Sequence, residues 1–228
     1  MERHFDEELK ELKELLLKMA ALAEESIYKA IYALKNQDRK LAEELINNDK
    51  NIDELELVIE DKCLNLLSLR QPQASDLRFI TNATKINAEL ERIADLSVDI
   101  AQRVMELVDK PLLKPLIDIP KLSIVAQRMV KEAIDSFINH DVELAKKVVL
   151  SDQEADNLRN LVQKELIYDY MVKDGATAPR AVPLLLIARH LERICDHATN
   201  IAEDAIYMVQ AKVVKHHPEK LRNSDNSR

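Results

Sequence analysis

Glycine is almost absent from this chain: Gly175 is the only one among 228 residues. Tryptophan is absent altogether, and aromatic residues make up 4% of the chain. Tight β-hairpins and phosphate-binding loops depend on glycine, so we expect neither a hairpin-rich β fold nor a Gly-rich nucleotide site. Ala, Leu, Glu and Lys, which favour helices, are abundant instead. The composition therefore predicts an all-α fold.

Cysteine and long apolar runs are also scarce. Cys63 and Cys195 are too few for a disulfide framework and suit a reducing compartment. The longest apolar run, residues 181–188, contains Pro183 and is far too short to span a bilayer. The charged first residues lack the apolar centre of a signal peptide. We expect a soluble, cytoplasmic protein that meets a membrane only through its partners.

The charge balance limits the class of partner. The formal net charge is −8, and the sequence suggests no basic stripe of the kind that binds phosphate backbones. Nucleic acid is therefore not expected as a partner. Hydrophobic residues make up 46% of the chain and charged residues 32%, which predicts a packed core under a heavily charged surface.

Apolar periodicity and helix-breaking residues divide the chain into six long predicted helices. They cover about residues 6–34, 39–68, 75–108, 121–139, a fifth from the His140-Asp141 turn to 172, and 177–214. Between the third and fourth lies the densest group of prolines, at 111, 115 and 120. We predict two tandem antiparallel three-helix bundles, at 1–110 and 121–214, with a linker at 111–120 and a polar tail at 215–228.

One short phrase occurs in both halves and indicates an internal duplication. Glu91-Arg92-Ile93-Ala94-Asp95 in the first half matches Glu192-Arg193-Ile194-Cys195-Asp196 in the second. Residues four apart share a helix face, so each phrase sets acids in a column. The columns predict metal ligands at Glu91, Asp95, Asp99, Glu192 and Asp196, with Asn200 where the first half has Asp99.

A second pair of acidic turns precedes these columns. Asp49 and Asp53 lie four apart, as do Asp152 and Asp156, and we add Asp53 and Asp156 to the candidate metal ligands. Converging carboxylates suit hard cations such as Mg²⁺, Mn²⁺ and iron, with zinc as a further candidate. Solvated faces, or pairing of the acids with arginine, would explain the same pattern without a metal.

The sequence offers little for catalysis. His190 and His197 flank the second column, but neither forms the Glu-x-x-His pair that di-iron enzymes use. Cys63 and Cys195 are expected to be small buried hydrophobes. We expect no enzyme, although a carboxylate-bridged metal hydrolase and a metal-free helical scaffold stay open as alternatives.

The twin Glu-Arg-Ile-x-Asp phrases, the Asp-x-x-x-Asp turns and the tandem three-helix plan resemble the PhoU family over about residues 5–214. The resemblance implies a negative regulator of phosphate uptake and phosphate-dependent signalling. It also implies multinuclear iron or zinc clusters on the acidic motifs, and a homodimer or larger assembly. The implied partners are the ATPase subunit of the phosphate ABC transporter and a phosphate-sensing histidine kinase. Because Asn200 replaces an acid, the second cluster is expected to be the weaker one.

Overall fold

The computed structural model describes residues 2–47 and 50–211, with side chains from residue 4 onward. Within those ranges it is helical and contains no strand, which confirms the predicted all-α class. The helices are α1 (Glu2–Asn36), α2 (Arg39–Asn47), α3 (Lys50–Arg70), α4 (Ala74–Met105), α5 (Asp118–Asn139), α6 (Val142–Lys164) and α7 (Ala178–Gln210). Together, α2 and α3 occupy the span predicted for the second long helix.

Each half forms a bundle because each helix buries one apolar stripe. In α1, for example, Leu12, Leu16, Met19, Ala23 and Ile27 follow the three- and four-residue spacing of one helix face, and all have no exposed surface. In the first half, α1, α3 and α4 pack on one another, and α2 packs on α1 and α4. In the second half, α5, α6 and α7 make the same arrangement. The tandem three-helix plan is confirmed.

The turn after the first helix of each half is built in the same way. Gln37 and His140 both adopt the left-handed conformation, with φ of 51° and 58°. The next residue, Asp38 or Asp141, donates its backbone N–H to the carbonyl five residues earlier, at 2.9 Å in both turns. Its side chain then accepts the N–H of Leu41 or Leu144 and caps the following helix. The duplication extends to the hydrogen bonds.

Several helix boundaries of the second half differ from the predicted ones. The segment after α6 widens into a π-helix, Glu165–Met171, so the predicted fifth helix is not α-helical to its end. Pro183 lies inside α7, which runs on both sides of it. α5 begins at Asp118, within the predicted linker, and α7 ends at Gln210. The predicted tail, 215–228, lies outside the described residues.

The two halves share one hydrophobic core. α1 packs on α5, and α4 packs on α7, so buried side chains form a continuous cluster across the halves. Where the halves meet, the rings of Phe79 and Phe137 stack at 5.0 Å between centroids. The linker is also held, since buried Lys114 pairs with Glu165 at the start of the π-helix. Among the described residues, no helix is long and apolar enough to cross a bilayer.

Candidate functional site

The acidic column of the first half lies beside a second set of acids from α3. Glu91 and Asp95 project from α4, and Asp53 and Glu56 project from α3. Burial and repulsion from Asp95, Glu56 and Asp53 raise the pKa of Glu91 to about 7, and a hydrogen bond with Asp95 acts in the same direction. Burial, followed by repulsion from Glu60, Asp53 and Asp95, raises the pKa of Glu56 as well. We call Asp53, Glu56, Glu60, Glu91 and Asp95 the first acidic cluster.

The chemistry of the first acidic cluster fits a cation. The neighbours that shift the pKa of Glu91 are all carboxylates, and a positive ion among them would relieve their repulsion. Within the described ranges, however, no three His, Cys, Asp or Glu side chains stand close enough to hold a metal as they are placed. Metal binding would therefore require these partly exposed carboxylates to change rotamer. Asp49, a member of the predicted turn, lies outside the described residues.

Because the pKa of Glu91 is raised in the folded protein, its effect on stability depends on pH. Between about pH 4.5 and 7 the folded state holds a proton that the unfolded chain has lost, so Glu91 makes stability fall as pH rises and then level off above 7. In EDTA, we expect the urea midpoint of Glu91→Gln to fall less over this window than that of the wild type.

The comparison with Glu91→Gln isolates this effect from other groups. Burial lowers the pKa of His190 and of His140, so these histidines act in the opposite direction and make the folded state lose stability as pH falls. They are the same in both proteins. Equal pH slopes for the wild type and Glu91→Gln would show that Glu91 ionises as it does in water.

The acids of the second half also converge, but an arginine lies among them. Glu192 and Asp196 project from α7, and Asp152 and Asp156 project from α6. One guanidinium nitrogen of Arg159 lies 3.0 Å from Glu192 Oε1 and 3.2 Å from Asp156 Oδ1. We call the four carboxylates the second acidic cluster. It fits the metal-free alternative, in which arginine pairs with the acids, more closely than the first acidic cluster does.

Two carboxylates of the second acidic cluster keep a raised pKa. Burial and repulsion from Glu192 and Asp152 raise the pKa of Asp196 to about 6. Burial, followed by repulsion from Asp156 and Glu192, raises the pKa of Asp152. Part of the charge repulsion therefore persists beside Arg159.

Asp99 and Asn200 lie where α4 meets α7. Asp99 Oδ2 is 3.9 Å from Nδ1 of His190, and Asn200 Nδ2 donates to Glu89 Oε2 at 3.3 Å. Glu89 lies two residues before Glu91, and His190 lies two residues before Glu192, so the two residues occupy matching positions in the duplicated helices. The Asp99–His190 and Asn200–Glu89 contacts are therefore equivalent. Their assignment as metal ligands stays a prediction, and these contacts give them a role in joining the two third helices.

The same junction carries a close contact between a histidine and a carboxylate. His197 Nδ1 lies 2.6 Å from Glu89 Oε2, and both side chains are largely buried. Burial alone would raise the pKa of Glu89, but hydrogen bonds from His197 and Asn200 hold it below its usual range. His197 thus pairs across the two halves.

Sequence reasoning missed four residues of these sites: Glu56, Arg159, Glu60 and Glu89. The sequence did contain a signal for Glu56 and Arg159. Glu56 follows Asp53 by three residues, and Arg159 follows Asp156 by three residues, so each lies on the same helix face as that aspartate. Glu89 gave no such signal, since its partners come from the other half. Both cysteines are free and fully buried, as predicted.

Comparison with known proteins places this arrangement in a family. The family model described as "PhoU domain" matches the chain twice, at residues 16–104 and 119–205. A phosphate-specific transport system accessory protein PhoU homolog of Aquifex aeolicus is 44% identical over 209 residues, covering 92% of this chain and 94% of the relative. The Escherichia coli protein of that type is 31% identical, covering 93% and 88%.

Solved structures agree. The crystal structure of PhoU from Pseudomonas aeruginosa superposes with a TM-score of 0.87 at 34% identity, covering 91% of this chain and all of that one. The phosphate transport system regulatory protein PhoU from Streptococcus pneumoniae gives 0.85 at 31% identity, covering 92% and 99%. The likeness extends over nearly the full length of each protein.

Proposed function

The chain belongs to the PhoU family, and on that premise we propose that it is a cytoplasmic negative regulator of phosphate uptake and of phosphate-dependent signalling. In this role it links the ATPase subunit of a phosphate ABC transporter to a phosphate-sensing histidine kinase. The observation that supports the proposal is the PhoU match in both halves, together with relatives named as transport system accessory or regulatory proteins.

The proposed role needs surfaces for partners, and α3 offers one. Several large apolar side chains of α3 are exposed, namely Leu57, Val58, Leu64 and Leu69, with exposed fractions of 62%, 52%, 58% and 72%. Exposed apolar side chains grouped on one helix favour burial against another protein. The protein that covers this surface is either a second copy of this chain or one of the proposed partners. A homodimer or larger assembly is therefore part of the proposal.

We propose that the first acidic cluster holds metal ions, with Asp53, Glu56, Glu91 and Asp95 as ligands. Iron and zinc are the proposed ions, with Mg²⁺ and Mn²⁺ as further candidates. A bound cation would supply positive charge among carboxylates whose pKa values are raised by burial and by mutual repulsion. The carboxylates project from α3 and α4, two helices of one bundle. A metal ion bound by both helices would fix the angle between them.

Direct binding tests the adaptor role. The purified chain, prepared with and without Fe²⁺ under anaerobic conditions, is passed over the immobilised transporter ATPase and histidine kinase of its own organism. We expect saturable binding to both, with dissociation constants in the micromolar range or tighter. A transporter ATPase from an unrelated sugar-uptake system serves as the control. Equal binding to that control, or none to either phosphate protein, would contradict the adaptor role.

A further inference from the structure

The two acidic clusters differ most at one position. Glu56 and Arg159 occupy the same place in the duplicated helices, three residues after Asp53 and Asp156. In the first half this place adds a carboxylate, and in the second it adds a guanidinium. The exchange changes the local charge by two units without changing the backbone plan.

The contacts of Arg159 are those a bound cation would make. A single nitrogen of its guanidinium bridges Glu192 and Asp156, at 3.0 and 3.2 Å, and so joins α7 to α6. The guanidinium thereby supplies a positive charge between the two carboxylates. A metal ion bound to the same two carboxylate oxygens would have to displace it.

A second feature of the same region disfavours cations. A cavity of about 520 Å³ opens beside the cluster, and Arg189 and Arg193 line it together with Arg159, Glu192 and Asp196. At the position matching Arg189, the first half has Ala88. The second half therefore surrounds its acids with more positive charge than the first half does.

We infer that Arg159 takes the place of a metal ion in the second half, so that the chain loads metal in the first acidic cluster alone. This rests on the proposed metal role of the first acidic cluster. The inference explains the weaker metal binding of the second half by Arg159, whereas the sequence pattern explained it by Asn200. Asn200 contacts Glu89 of the other half instead.

Metal content per chain tests the inference. Wild type and variants are dialysed anaerobically against Fe²⁺, and separately against Zn²⁺, and the bound metal is measured by mass spectrometry. Asp196→Asn is expected to keep the wild-type content, whereas Glu56→Arg is expected to lose it. Arg159→Glu is expected to raise it about twofold by copying the first cluster. Loss of half the metal in Asp196→Asn, or an unchanged content in Arg159→Glu, would overturn the inference.

Two further measurements keep the result decisive. Circular dichroism and thermal melting establish folding, and Arg159→Gln, which adds no fifth carboxylate, replaces Arg159→Glu if that variant does not fold; an increase in metal is again the expected result. If the wild type binds no metal at all, the proposed metal role fails by itself. Arg159→Glu then decides separately, because a gain of metal supports the inference and no gain overturns it.

Discussion

Replacing Asp95 by Asn is expected to abolish metal binding in the first acidic cluster and, in EDTA, to stabilise the protein. Asn supplies one neutral oxygen in place of a carboxylate, which weakens metal binding. It also removes the negative charge of Asp95, which raises the pKa of Glu91 more than any other neighbouring charge does. Relief of that repulsion at a partly exposed site should raise the free energy of unfolding by about 1 kcal/mol at pH 8, after allowance for solvent screening.

Mass spectrometry of metal content and urea unfolding in EDTA measure the two effects. Asp61→Asn is the matched control, because Asp61 is an exposed acid of α3 whose side chain hydrogen bonds with Asn65. It should change neither quantity appreciably. An Asp95→Asn protein that keeps its metal, or that is less stable without it, would refute the proposed site. A gain in stability on losing a functional charge is typical of binding sites.

Truncating Phe137 to Ala is expected to cost about 3–5 kcal/mol of unfolding free energy, the range for large buried aromatic side chains. Phe137 is fully buried and stacks on Phe79, which belongs to the other half of the chain. The cavity would therefore open at the contact between the halves. Because the buried core is continuous across them, we expect both halves to unfold in one cooperative transition.

Urea unfolding followed by circular dichroism checks this prediction. Phe137→Leu keeps most of the volume and should cost roughly 1–2 kcal/mol, which separates the cavity from a general disturbance of α5. Two resolved transitions in the wild type would mean that the halves fold independently. A loss below about 1 kcal/mol in Phe137→Ala would mean that the core relaxes to fill the space.

The fold class and the duplication follow from the amino-acid sequence alone. Scarce glycine, long apolar periodicity and the repeated Glu-Arg-Ile-x-Asp phrase depend on local spacing alone, and the structure confirms the six-helix tandem plan. Spacing along one helix also placed Glu91 beside Asp95, and Glu192 beside Asp196, because residues four apart share a face.

Which residues meet across helices depends on tertiary packing. Asp99 and Asn200 extend the acidic columns in sequence, yet they contact His190 and Glu89, because the third helix of each half packs on that of the other. Glu56 and Arg159 lie near the acids of the third helices because α3 packs on α4 and α6 packs on α7. Helix periodicity specifies a face, whereas the rotation and approach of two helices depend on packing over the whole core.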